Sequence, residues 1–186
     1  MAPKLTFSKE VANLLYAAHG NPIKSCIQCG TCAGTCPSIE FMDHSPRELI
    51  GMIGADIKDE VLASNTFWSC ASCYHCTVRC PVGIDIAGLM YALKRYSIWK
   101  NQYLEGLIGP AFSESFVKMI MRTGRFFEPV LAPLIFKYGA RDLIQEAQTA
   151  SALVLKGRLP LLPRKIKRID NFRRMVRRII PIGGSS

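Results

Sequence analysis

Apolar side chains recur along most of this chain in steps of three and four, the spacing that lines up one face of an α-helix. Ser8 stands as N-cap before Val11, Leu14, Leu15 and Ala18, and Gly20 and Pro22 end that segment. Ser45-Pro46-Arg47-Glu48 has the form of a capping box with Pro at the first helical position. It opens a helix through Leu49, Ile50, Met52 and Ile53 that stops near Gly54, and a short helical piece follows at residues 59–63. Asp85 caps Ile86, Leu89, Met90 and Leu93, closing this half of the chain near residue 100. Farther on, Ser113 caps Phe116, Val117, Ile120 and Met121 up to Gly124, and a longer helix is predicted over about 141–156, ended by Gly157. No stretch alternates with period two, so the predicted fold class is all-α.

Two stretches break the helical pattern. Residues 26–37 read C-I-Q-C-G-T-C-A-G-T-C-P and residues 70–81 read C-A-S-C-Y-H-C-T-V-R-C-P. Both have the spacing C-x2-C-x2-C-x3-C-P, and together they use all eight cysteines of the chain: Cys26, Cys29, Cys32, Cys36, Cys70, Cys73, Cys76 and Cys80. Three thiolates spaced two residues apart can wrap one face of a [4Fe-4S] cubane. In two-cluster ferredoxins the fourth cysteine of each run ligates the other cluster. That rule assigns Cys26, Cys29, Cys32 and Cys80 to one cluster, and Cys70, Cys73, Cys76 and Cys36 to a second. Structural zinc takes four ligands from two pairs and has no use for a third evenly spaced cysteine. Disulfides fit poorly as well, because the cysteines within a run are too closely spaced to pair well and a chain without a secretory leader is expected. The insert between the runs, residues 37–69, is filled with helix, which points to an α-helical ferredoxin domain rather than one joined through β-hairpins.

Side chains around the runs are assigned no catalytic part. Trp68, Tyr74 and His75 lie before or within the second run, where the aromatics would shield the clusters from water and His75 would be exposed. His19, at the end of the first helix, complements the helix dipole.

Charge adds a second division. Residues 1–100 hold nine Lys and Arg against eight Asp and Glu, residues 101–155 hold five against five, and residues 156–186 hold ten against one. The excess of the +10 chain therefore sits in its tail, and cluster assembly would lower the total to about +6. The expected domains are 1–100, carrying both clusters, and 101–186, a helical extension ending in a basic amphipathic tail. In that tail Ile166, Ile169, Phe172, Val176, Ile179 and Ile180 share one arc, while Arg164, Lys167, Arg174 and Arg178 lie opposite and Lys165 and Arg173 intrude on the apolar side. Three roles stand open for it: a helix packed on its own domain, contact with an anionic membrane surface, or an arm set off by Pro160, Pro163 and Pro181 that docks on a partner. No run of 18 apolar residues occurs, and the longest greasy segment, 126–136, is interrupted by Glu128, Pro129 and Pro133 and reads as a buried connector or interface. A cytoplasmic protein is expected.

The double cysteine run, its helical insert and the stretch W-S-C-A-S-C-Y-H-C-T-V-R-C-P resemble the C subunits of heterodisulfide reductases, over about residues 20–100. The resemblance implies an electron-transfer subunit with two [4Fe-4S] clusters, held by the eight cysteines one by one. Its implied partners are a flavin-containing protein of the same complex and a catalytic one that reduces a disulfide. The residues agree with a relay: there is no adjacent Cys-Cys pair, no spare thiol for exchange chemistry and no glycine-rich nucleotide loop. Succinate dehydrogenase and fumarate reductase iron-sulfur subunits share such a domain but add a [2Fe-2S] domain, for which no cysteines remain. Nucleic-acid binding through the tail is disfavoured, since Phe172 is its one aromatic residue.

Overall fold

The computed structural model describes residues 6–15, 22–127, 129, 137, 143–158 and 162–179. Among these the fold is all-α, with helices, short 3₁₀ turns and loops and no strand. The expectations for Ala18, His19, Gly20, Pro133, Pro160, Ile180 and Pro181 lie outside the described residues. The chain divides into two compact units, Met1–Glu105 and Gly106–Ser186.

The first unit contains α1 (Phe7–Leu14), α2 (Thr31–Gly34), α3 (Pro46–Gly54), α4 (Lys58–Ala63), α5 (His75–Val78) and α6 (Ile86–Lys100). The capping box at α3 forms as the residues dictate: the Ser45 hydroxyl accepts from the Glu48 N–H at 3.3 Å, and Glu48 Oε2 accepts from the Ser45 N–H at 2.8 Å. The latter bond holds the Glu48 carboxyl below its ordinary range. At α6 the Asp85 carboxylate accepts from the Gly88 N–H at 2.9 Å, and Asn101 closes the helix in the left-handed region with φ 51°.

Helix α1 starts two residues earlier than the sequence pattern predicts. Thr6, not Ser8, is its N-cap residue, and Thr6 makes no side-chain cap. The carboxylate of Asp56, just beyond α3, accepts from the Ser8 N–H at 2.8 Å instead. The cap is thus tertiary, which frees Phe7 and Ser8 to be helical and buried. On its other flank α1 docks on α6. Phe7 meets Tyr96 edge to face with ring centroids 5.6 Å apart, the Tyr96 hydroxyl donates to Glu10, and the Arg95 guanidinium donates to the Leu14 carbonyl at 2.6 Å.

Between these helices lies one apolar core that includes Val11, Leu49, Ile53, Val61, Phe67, Leu89 and Leu93, all fully buried. Cys32 belongs to the same core, and Cys26, Cys70, Cys76 and Cys80 pack against it. A set of polar bonds then ties the segment after the first cysteine run to the segment before the second. Asp43 and Asn65 exchange backbone-to-side-chain bonds of 3.0 and 2.7 Å. The buried Thr66 hydroxyl accepts from the His44 N–H and donates to the His44 carbonyl, both at 3.0 Å, and Ser69 donates to the Phe41 carbonyl at 3.1 Å.

The second unit contains α7 (Ile108–Thr123), α8 (Leu143–Leu155) and α9 (Ile169–Ile179). Here the predicted start of α7 is corrected. Ser113 lies inside the helix, which begins at Ile108 after Leu107. Pro110 falls in the first turn, where backbone N–H groups have no intrahelical partner and proline costs nothing. Gly124 ends α7 with φ 75°, and a Cβ there would lie 2.4 Å from Ile166, so the position needs glycine for its backbone and for the approach of Ile166. Helix α9 packs on α7. Arg173, the charge that intrudes on the apolar stripe, donates to the Met121 and Arg122 carbonyls at 2.7 and 3.1 Å and so caps the end of α7.

Candidate metal centre

The two cysteine runs take up the same backbone path. Gln28 and Gly30 have φ 57° and 80°, and Ser72 and Tyr74, at the same places in the second run, have φ 55° and 62°. Left-handed residues alternating with others curl a chain so that successive N–H groups face one concavity, as around many iron-sulfur groups. After the curl comes a four-residue helix, α2 or α5, that carries the third cysteine, Cys32 or Cys76. A turn then delivers the fourth, Cys36 or Cys80, followed by Pro37 or Pro81.

Helices α2 and α5 pack on each other, and that pairing puts the end of each run beside the start of the other. One hollow is lined by Cys26, Cys29, Cys32 and Cys80. A second is lined by Cys36, Cys70, Cys73 and Cys76. Among the described residues no three His, Cys, Asp or Glu side chains converge tightly enough to share one bare ion. Four spread thiols around an open hollow suit a multi-metal group instead.

The electrostatics of the thiols follow from their depth. Burial pushes the Cys32, Cys36 and Cys76 thiols above the ordinary value. Cys29, at the rim, is lowered, first by the Thr31 hydroxyl 3.4 Å away and then by the Thr31 N–H. Further donors reach the sulfurs: Gln28 Nε2 to Cys26 Sγ and the Ile84 N–H to Cys80 Sγ, each at 3.4 Å. Thiols buried this way are poor hosts for a free negative charge and good ones for cationic iron, which deprotonates its thiol ligands outright. The donor set therefore fits iron-sulfur clusters.

Trp68 packs on Phe67 with ring centroids 5.6 Å apart, and Lys94 lies over its ring. It lines neither hollow. Tyr74 does line the second hollow, and His75 is exposed. The residue pattern alone does not single out Gln28 and Arg47, which line the first hollow. Their one sequence signal is position: Gln28 lies between two cysteines, and Arg47 lies in the capping box of α3.

The all-helical architecture and the paired thiol runs suit an iron-sulfur protein. Residues 22–84 match the family model described as 4Fe-4S dicluster domain. The chain is also similar to C subunits of heterodisulfide reductases. That of the "H(2):CoB-CoM heterodisulfide,ferredoxin reductase" of Methanothermobacter marburgensis is 36% identical over 87 residues, which is 47% of each chain. That of the "Ferredoxin:CoB-CoM heterodisulfide reductase" of Methanosarcina mazei is 37% identical over 94 residues, 50% of this chain and 57% of the relative. That of the "Ferredoxin/F(420)H(2)-dependent CoB-CoM heterodisulfide reductase" of Methanosarcina acetivorans is 35% identical over 103 residues, 55% of this chain and 60% of the relative. The chain spans about half the length of the curated relatives it matches.

Proposed function

We propose that this chain is the electron-relay subunit of a heterodisulfide reductase-like complex. It holds two [4Fe-4S] clusters, one on Cys26, Cys29, Cys32 and Cys80 and the other on Cys70, Cys73, Cys76 and Cys36. The observation that carries this reading is the crossed lining of the hollows, in which each gathers three thiols from one run and the fourth from the other. When bound, such a cluster takes up and gives back one electron without making or breaking a bond. The chain's own residues do the rest. The left-handed curls at Gln28 and Ser72 present the thiols, the pairing of α2 with α5 fixes the two sites side by side, and the buried flank of Cys32 keeps water from one side of its site.

The partners in this reading are a flavin-containing subunit on one side and a disulfide-reducing subunit on the other, in the cytoplasm. Neither hollow is accompanied by a spare thiol, because all eight cysteines line one or the other, so the sulfur chemistry belongs to a partner. The packing of α9 on α7 favours the plain structural role for the apolar stripe of the tail. Its basic outer face, with Arg174 and Arg178 exposed, is left for contact with a partner.

Anaerobically purified protein should contain about eight irons and eight acid-labile sulfides per chain. After chemical reduction it should pass electrons to a redox dye while leaving disulfide substrates untouched. Stoichiometric zinc with little iron, or disulfide turnover by this chain alone, would refute the proposal.

A further inference from the structure

The two hollows repeat each other in backbone and in ligand type, and they differ in what else reaches their sulfurs. We infer that the site of Cys26, Cys29, Cys32 and Cys80 has the higher reduction potential of the two, set by Gln28 and Arg47, so that the first electron delivered to the chain rests there. This rests on the reading of both hollows as cluster sites.

Gln28 occupies the left-handed region, which costs a residue other than glycine conformational energy. Its amide lies along α3 at Gly51, where a Cβ would come 3.5 Å from Nε2, and from there it donates to Cys26 Sγ at 3.4 Å. Ser72 has the same backbone conformation but a short side chain, and no hydrogen bond from it to a sulfur is present among the described residues. At the next matched pair, the Thr31 hydroxyl lies 3.4 Å from Cys29 Sγ, whereas His75 is exposed.

Charge runs the same way. Arg47 lines the first hollow, with its Cδ 3.7 Å from where a Cβ on Gly30 would be, and its ion pair to Glu48 is long at 3.9 Å. No Lys or Arg lines the second hollow. Lys94 stands outside that lining, where its ammonium donates to the Cys70 carbonyl at 3.4 Å and sits over the Trp68 and Tyr91 rings. At the second hollow the Thr77 hydroxyl acts on Cys76 as Thr31 does on Cys29, but it is divided with Asp85 Oδ1 at 3.3 Å and the Ala87 N–H at 3.0 Å, so the side chains that set the first hollow apart are Gln28 and Arg47.

Exposure does not separate the sites, since each has one exposed cysteine, Cys29 or Cys73. Hydrogen bonds to ligand sulfur and a nearby positive charge both stabilise the more negative, reduced state and so raise a potential. One electron then moves from the Cys70 side to the Cys26 side with no bond changed and no proton transferred.

The test is a dithionite titration of the anaerobic holoprotein through redox mediators, followed by electron paramagnetic resonance, on wild type, Gln28→Leu and Arg47→Gln. Two separate midpoints are expected, and each substitution should lower the higher one while leaving the lower in place and the iron content unchanged. A shift of the lower midpoint, no shift with both signals intact, or loss of iron without a shift overturns the inference. A holoprotein with no pair of [4Fe-4S] signals would instead remove the relay reading on which it stands.

Discussion

The unit that carries the cysteines and the unit that follows it are both helical, yet they are held together differently. In the first, fully buried aliphatic side chains from α1, α3, α4 and α6 meet in one core, and the cysteines pack into its edge. In the second, Met119 is the one buried large apolar side chain among the described residues, while Ile108, Phe112, Phe116, Val117, Leu162 and Met175 are exposed. Its described contacts include a half-exposed cluster of the Phe112, Phe116 and Phe126 rings, a close seat for Ile166 at Gly124 and the cap that Arg173 places on α7. A core that must position two four-thiol hollows tolerates little movement, whereas an extension needs only enough contacts to present its faces.

Core truncation should separate the units most strongly. Leu93→Ala removes a fully buried side chain and should cost the first unit about 3 kcal/mol in chemical denaturation. Phe112→Ala, at a position 41% exposed in the second unit, should cost less than about 1 kcal/mol. Equal losses would erase the contrast.

Next in size is Gly124→Ala, which meets Ile166 and places a side chain at φ 75°. A loss of about 2 kcal/mol in the second unit is expected, with the iron content of the first unchanged. Loss of iron would show that the first unit depends on this turn.

A smaller effect is expected at the α1–α6 seam. Burial pushes the Tyr96 phenol above its ordinary value, and the neighbouring Glu10 carboxylate adds to the rise. Because the folded pKa is raised, this contribution is complete below the unfolded value of about 10 and drains away as pH climbs above it. Tyr96→Phe should lose about 1 kcal/mol at neutral pH and show a flatter decline of stability above a pH of about 10 than wild type. Parallel decline in the two proteins would mean that another group controls alkaline unfolding.

The smallest effect belongs to Arg173→Gln, which removes a half-exposed cap from α7 and should cost about 1 kcal/mol or less. Thermal melting of the second unit is the readout, and a loss as large as that of Leu93→Ala would contradict the loose packing described for it.

Much of this was legible in the residues because its causes are local. The cysteine spacing, the Ser45 and Glu48 capping box and the Asp85 cap each complete themselves within a few residues, and the structure contains them as read. What could not be read depends on distant partners. The start of α1 is set by Asp56, 48 residues beyond Ser8. Arg173 looked like a flaw in an apolar stripe because the carbonyls it caps lie on α7, about 50 residues earlier. The left-handed backbones of Gln28, Ser72 and Tyr74 had no glycine to announce them, and the start of α7 was hidden because Pro110 suggests a break although the first helical turn accepts it.

The central claim is that the two runs exchange their fourth thiols, and single substitutions with electron paramagnetic resonance test it most directly. Cys36→Ser should disturb the signal of the site built on Cys70, Cys73 and Cys76, and Cys80→Ser that of the site built on Cys26, Cys29 and Cys32. If each substitution instead disturbs the site of its own run, the ligation is local and the crossed arrangement is wrong.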